Sequence, residues 1–237
     1  MYKAILVRRL LRRHGFQSPI IEVGCGTGEF LAELVRYGHS GVGIDMGSNS
    51  IQVAKRRLEG SPIEAFECDL FDHDGRGFNS VFIFEVLEHI EPDVQAMRHL
   101  YEMLAPSGLI MLSVPAKQAL YTDEDAFQGH IRRYERNELR SKLGEVGFEI
   151  LTLWCYNPLP YLRKYLMRKV DHGGKSDLTM GLRTEESAYD MHPFTNRWVR
   201  RLYPIYSRMK FLLHLQDPFL RFDLGAHYLT VACKPTG

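Results

Sequence analysis

From residue 19 the chain alternates short apolar runs with helix-length amphipathic stretches, and no other feature narrows its possible folds as much. The runs 19–23, 41–45, 63–67, 80–84, 109–114 and 148–154 have strand length. The stretches 29–37, 48–58, 92–104 and 136–146 between them carry apolar residues at helical spacing, with Ser48 as a candidate N-cap and Gly108 and Gly147 at chain reversals. This pattern predicts a doubly wound α/β fold whose mostly parallel sheet is covered by helices on both faces. The clean alternation stops after Trp154, and a last strand-like run follows at 227–233. Placed antiparallel beside the preceding strand, that run closes a seven-stranded sheet and makes 157–223 a helical insertion before the last strand. The sheet domain is then 1–156 plus 224–237. A separate helical C-terminal domain is the alternative, but such a domain would not normally end in an isolated strand.

The chain's 237 residues, 45% of them hydrophobic, suffice for a full core. A formal net charge of +1 supplies no global field to gather nucleic acid, although local basic patches stay open. Cys25, Cys68, Cys155 and Cys233 lie far apart, without zinc-ligand spacing, and suit a reducing cytosol. Residues 1–13 mix Ile5, Leu6, Val7, Leu10 and Leu11 with five basic residues, which predicts an amphipathic first helix and not a signal segment. No stretch approaches the roughly 18 apolar residues of a membrane span, the nearest being 108–116. The expected location is cytoplasmic, with membrane contact peripheral at most.

The strongest motif is Ile21-Glu22-Val23-Gly24-Cys25-Gly26-Thr27-Gly28, a strand running into a glycine-rich turn that opens a helix. Glycine permits positive φ and close approach of the backbone to a ligand. In a doubly wound sheet this first crevice is where a nucleotide-like ligand sits. Two acids at later strand ends fit the same ligand: Asp45 can accept both ribose hydroxyls of a nucleoside, and Asp69 can accept an adenine amino group.

With these residues in order and correctly spaced, the sequence resembles class I S-adenosylmethionine (SAM) dependent methyltransferases over roughly 19–151 plus the last strand. The resemblance implies a Rossmann-like methyltransferase fold and SAM as cofactor. It implies that Glu22 helps hold the methionine amino group and that Gly24, Cys25, Gly26 and Gly28 form the cofactor loop. Asp45 matches the ribose acid, Met46 the neighbour packing on adenine, Asp69 with Leu70 the adenine-edge pair, and Glu85 a residue facing the cofactor. A nicotinamide-dependent dehydrogenase is the runner-up, but Glu29 stands where its third fingerprint glycine belongs. A SAM-binding module without activity is a third reading, since function belongs to the site and not the fold.

On the acceptor side, an oxygen nucleophile needs a base or a metal to remove or acidify its proton. If the turn after the fourth strand run is helical, Glu85, Glu88 and His89 share a face. This ExxEH segment resembles small-RNA terminal 2′-O-methyltransferases and ubiquinone-pathway O-methyltransferases. The resemblance implies a magnesium, manganese or iron site at Glu85, Glu88, His89 and His130, although Ile90 stands where the RNA enzymes carry a second adjacent histidine. With a metal, His89 and His130 are both catalytic candidates as its ligands; without one, His89 is a packing histidine and His130 a general base. The expected acceptor is an oxygen of a small or lipid-like molecule, with RNA 2′-O-methylation as the alternative. Aromatic and cationic residues interleave through 157–223, among them Tyr161, Arg163, Tyr165, Trp198 and Arg201, which suits a substrate lid, a membrane face or an oligomer interface.

Overall fold

The computed structural model describes residues 2–157 and 220–236. Its elements run α1 (Tyr2–His14), β1 (Ile20–Val23), α2 (Glu29–Arg36), β2 (Gly41–Asp45), α3 (Ser48–Arg57), β3 (Ile63–Glu67), β4 (Phe78–Phe84), α4 (Asp93–Met103), β5 (Leu104–Pro115), α5 (Asp123–Phe127), α6 (Arg136–Val146), β6 (Glu149–Tyr156) and β7 (His227–Cys233). They form one seven-stranded sheet in the order β3-β2-β1-β4-β5-β7-β6. All pairings are parallel except those of β7, which runs antiparallel between β5 and β6.

Residues adjacent along a strand point to opposite faces, and here both faces are buried. Ile20, Phe82 and Met111 pack with Leu6 and Leu10 of α1, Leu31 and Leu34 of α2 and Ile51 of α3. Their strand neighbours Ile21, Val81, Ile83, Ile110 and Leu112 pack on the other face with Met97 and Leu100 of α4 and Leu139 and Leu143 of α6. This double burial explains why the strands read as apolar runs and not as alternating ones. The first helix uses its apolar face for this core, so Leu6, Val7 and Leu10 are buried.

Most predicted boundaries agree with the structure, and the departures have local causes. Ser48 is not the N-cap of α3: Gly47 occupies that position without a side-chain bond, and the Ser48 hydroxyl donates instead to Glu67 at 2.7 Å. The first strand-like contact of β5 is made at Leu104, opposite Phe78, and the register then shifts so that Leu109 faces Ser80. Gly108 therefore lies within an irregular strand entry and not at a reversal. The predicted lid lies outside the described residues for positions 158–219. Because β7 is antiparallel, the chain leaves β6 and re-enters β7 on the same rim, with Tyr156 paired to His227. Among the described residues no helix is long and apolar enough to cross a membrane.

Leu112, fully buried at the centre of β5, and Leu151, exposed in β6, give a test of this packing. Leu112→Ala is expected to cost about 2–5 kcal/mol in urea unfolding, whereas Leu151→Ala should change stability by less than about 0.5 kcal/mol.

Candidate cofactor and acceptor site

The strand order reverses between β1 and β4, and a doubly wound sheet opens its crevice at the carboxyl ends of the strands there. The glycine turn after β1 lines this crevice. The N–H groups of Gly24 and Cys25 donate to the Ile44 carbonyl at 2.8 and 3.0 Å, tying the turn to β2. Gly24 has φ 73°, and a Cβ there would collide with the Val86 side chain just beyond β4. Gly26 has φ 51°, and a Cβ there would meet nothing within 4 Å. The first glycine thus packs the turn onto β4, while the second leaves a face open to a ligand.

Asp45 joins this turn to the next one. Its Oδ2 accepts the Gly26 N–H and its Oδ1 accepts the Gly47 N–H, each at 2.8 Å. An ionised carboxylate has about four acceptor sites, so lone pairs remain for a ligand's hydroxyls. Met46, the next residue, is 72% exposed. Asp69 caps the short 3-10 turn Leu70–Asp72 by accepting the Phe71 N–H at 2.8 Å. The Leu70 side chain is buried in the core, and the half-exposed ring of Phe71 is the side chain that this turn presents beside Asp69. The Cys25 side chain also turns inward: burial, then Glu22 and Asp45, push its thiol up to about 12, so it packs as a neutral group.

Glu22 is buried in β1, and its Oε2 has no hydrogen-bond partner. Burial pushes its carboxyl well above the usual range and Asp45 adds to this, while Lys3 of α1 pulls it down. The Lys3 ammonium stands 3.2 Å from Glu85 Oε1 and 4.9 Å from the centre of the Phe84 ring. Lys3 was not among the expected site residues. Its signal is the position it takes along α1: residues 3, 6, 7 and 10 share one helical face, so a lysine there points with the apolar side chains toward the crevice.

Glu85 follows β4 in a left-handed conformation, φ 57°. Its Oε1 accepts from Ser113 of β5 at 2.6 Å, and its Oε2 lies 3.2 Å from Nδ1 of His227, the first residue of β7. Burial raises its pKa, but His227, Lys3 and Ser113 outweigh this and hold it well below the carboxylate range. The helical turn begins only after Val86, spanning Leu87–His89, so Glu85 does not share a face with Glu88 and His89. Glu85 therefore does not join the expected metal ligands.

The other three do converge. One ligating atom from each of Glu88, His89 and His130 lies within 4.8 Å of the others. Nδ1 of His89 faces the Gly129 carbonyl at 3.1 Å, which can only accept, so that nitrogen carries the proton. Nδ1 of His130 faces Asp125 Oδ1 at 3.0 Å. Burial opposes charge on Asp125, but Arg133, His130 and Thr122 hold its pKa below the usual range. In the neutral ring each imidazole would thus keep its lone pair on Nε2, and that of His130 is 3.9 Å from Glu88 Oε1. Glu88 is fully buried with neither oxygen hydrogen-bonded. Burial first, then the charge of Glu85, push it up to about 8.

A family model described as "methyltransferase domain" matches residues 3–153. The chain belongs to this methyltransferase family. It is 27% identical over 200 residues to a candidate methyltransferase of Geobacillus sp. (strain WCH70), taking in 81% of this chain and 72% of that protein. It is 33% identical over 104 residues to ubiquinone biosynthesis O-methyltransferase of Salmonella paratyphi A, 41% of this chain and 43% of that protein. The chain thus spans less than half the length of that relative. Among solved structures, phosphoethanolamine N-methyltransferase 2 of Haemonchus contortus in complex with SAM superposes at TM-score 0.60 and 16% identity, covering 95% of this chain and 51% of that one. The cyclase SpnF superposes at 0.62 and 18% identity, covering 98% and 81%. At such identity these structures share the fold, and a cyclase among them shows that the fold alone does not fix the reaction. The family does: this is a SAM-dependent methyltransferase, and the dehydrogenase reading falls.

Calorimetry with S-adenosylhomocysteine tests the crevice. Asp45→Ala removes both the loop staple and the ligand acceptor, and should weaken binding by on the order of 1.5–3 kcal/mol, or about ten- to hundredfold. Asp72→Ala, on the exposed side of the 3-10 turn, should leave the affinity nearly unchanged.

Proposed function

We propose that this methyltransferase transfers the methyl group of SAM to an oxygen of a small or lipid-like acceptor, assisted by a divalent ion. In this reading Gly24, Cys25, Gly26 and Gly28 shape the cofactor loop, Asp45 takes the ribose hydroxyls, and Met46, Asp69 and Phe71 surround the adenine. Glu22 and Lys3 receive the two charges of the methionine end: a buried acid with an unpartnered oxygen suits its ammonium, and a lysine on the adjoining helix suits its carboxylate. SAM supplies a methyl group on a sulfonium, and the chain's task is to align the acceptor and exclude water.

The observation that carries the oxygen acceptor and the ion is Glu88. A fully buried carboxyl with two unbonded oxygens either keeps its proton or needs a cation beside it. Two histidines that each bring a ring nitrogen to the Glu88 carboxylate, one of them oriented by a second carboxylate, are what a metal ligand set requires. Mixed oxygen and nitrogen donors suit magnesium, manganese or iron, and such an ion acidifies a hydroxyl. A neutral amine needs no such help, which favours oxygen. The O-methyltransferase relatives support the same choice. A ribose 2′-hydroxyl would suit the same donors, but a net charge of +1 gives RNA no field to follow.

Manganese binding followed by electron paramagnetic resonance checks the ion without an acceptor. One bound ion is expected in the wild type and in Glu85→Gln, and none in His130→Ala or Glu88→Gln, while all four still bind S-adenosylhomocysteine. Equal manganese binding by His130→Ala, or none by the wild type, removes the metal from this reading. Chelation should then abolish methyl transfer and added ion restore it.

A further inference from the structure

The antiparallel course of β7 brings a residue to the site that belongs to neither the cofactor loop nor the ion's ligands. Strands β4, β5 and β6 end on the crevice rim, and β7 begins there. Phe84 pairs with Ser113, Pro115 with His227, and His227 with Tyr156. Glu85, Ser113, Tyr156 and His227 therefore meet beside Val86, the residue that the glycine turn packs against. The Tyr156 hydroxyl lies near Ser113 and Glu85, and its ring stacks on His227 with centroids 5.4 Å apart and planes 29° apart.

The protonation pattern follows from the partners. Glu85 receives bonds from Ser113 and Lys3 as well as facing His227, so it is ionised and can only accept. Nδ1 of His227 then donates to it, which in the neutral ring leaves the lone pair on Nε2. No hydrogen-bond partner for that Nε2 exists among the described residues, and the His227 side chain is 28% exposed. A nucleophile's base oriented by a carboxylate behind it is a recurrent catalytic arrangement.

We propose that His227, positioned by Glu85 and stacked on Tyr156, is the base that removes the acceptor's proton. This inference rests on the oxygen-acceptor reading above. As the S–CH3 bond breaks, its electron pair stays on sulfur. The acceptor oxygen forms the new O–CH3 bond, and its proton moves to Nε2 of His227 and from there to water. Glu85 touches no reacting atom in this scheme. It is a positioning residue that fixes the tautomer and stabilises the imidazolium. The charged and titratable neighbours of His227 in this arrangement are Glu85 just after β4, Tyr156 from β6 and, through Glu85, Lys3 from α1.

Two measurements test it. In 15N-histidine-labelled wild-type protein saturated with S-adenosylhomocysteine, NMR should show His227 with the proton on Nδ1 and a bare Nε2 near neutral pH. A proton on Nε2, or an imidazolium throughout the pH range in which the protein is folded, overturns the proposal, and this result needs no variant to fold. In the second, para-nitrophenol is added to the same complex and its ionisation read from its absorbance. The wild type should raise the phenolate-to-phenol ratio by roughly tenfold, one unit of pKa. His227→Gln keeps a donor toward Glu85 but cannot take a proton, so it should abolish the effect, whereas a merely structural histidine would be rescued by glutamine. If S-adenosylhomocysteine itself does not bind, the cofactor reading fails. If it binds but the ratio does not move, only the role of His227 fails.

Discussion

A parallel sheet buried on both faces leaves only its rims for polar chemistry. Helices α1, α2 and α3 cover one face and α4 and α6 the other, so the loops at the carboxyl ends of β1, β2, β3 and β4 are where side chains can meet a ligand. The reversal of strand order between β1 and β4 spreads these loops apart at one point. Asp45, by accepting from both Gly26 and Gly47, holds two of them in a fixed relation. A second consequence of the same topology is that the antiparallel β7 adds its first residue to that rim.

Three buried or half-buried acids stand close together there, and each is accommodated differently. Like charges in a poorly hydrated place cannot all ionise, so their environments set them apart. Glu85 collects Lys3, Ser113 and His227 and stays ionised. Glu88, with no hydrogen bond to either carboxylate oxygen and the Glu85 charge nearby, is pushed the other way. Glu22 keeps one unpartnered oxygen in reach of the Lys3 charge. An ion at Glu88 would compete with a proton, as metal ligation generally does. A cofactor ammonium at Glu22 would satisfy the oxygen that the protein leaves unbonded.

Much of this was legible in the sequence because it depends on local spacing. Apolar runs buried on both faces and a glycine turn followed by Asp45 mark strand ends without knowledge of the fold. The convergence of Glu88, His89 and His130 was also anticipated, through resemblance. What was not legible depends on backbone direction or long-range register. The left-handed φ of Glu85 turns it away from its ExxEH partners. Leu70 lies three residues after β3, where a short 3-10 turn folds its side chain into the core and leaves that of Phe71 outside. His227 is unremarkable until β7 is known to run antiparallel against Pro115 and Tyr156. Lys3 alone left a readable trace, as a cation on the apolar face of its helix.

A crystal structure of the protein with S-adenosylhomocysteine bears most directly on the central claim that this rim holds the cofactor. The account expects the ligand over the open side of Gly26, its ribose hydroxyls on Asp45, its amino group against Glu22 and its carboxylate toward Lys3. A ligand bound elsewhere, or one whose ribose makes no contact with Asp45, would contradict it.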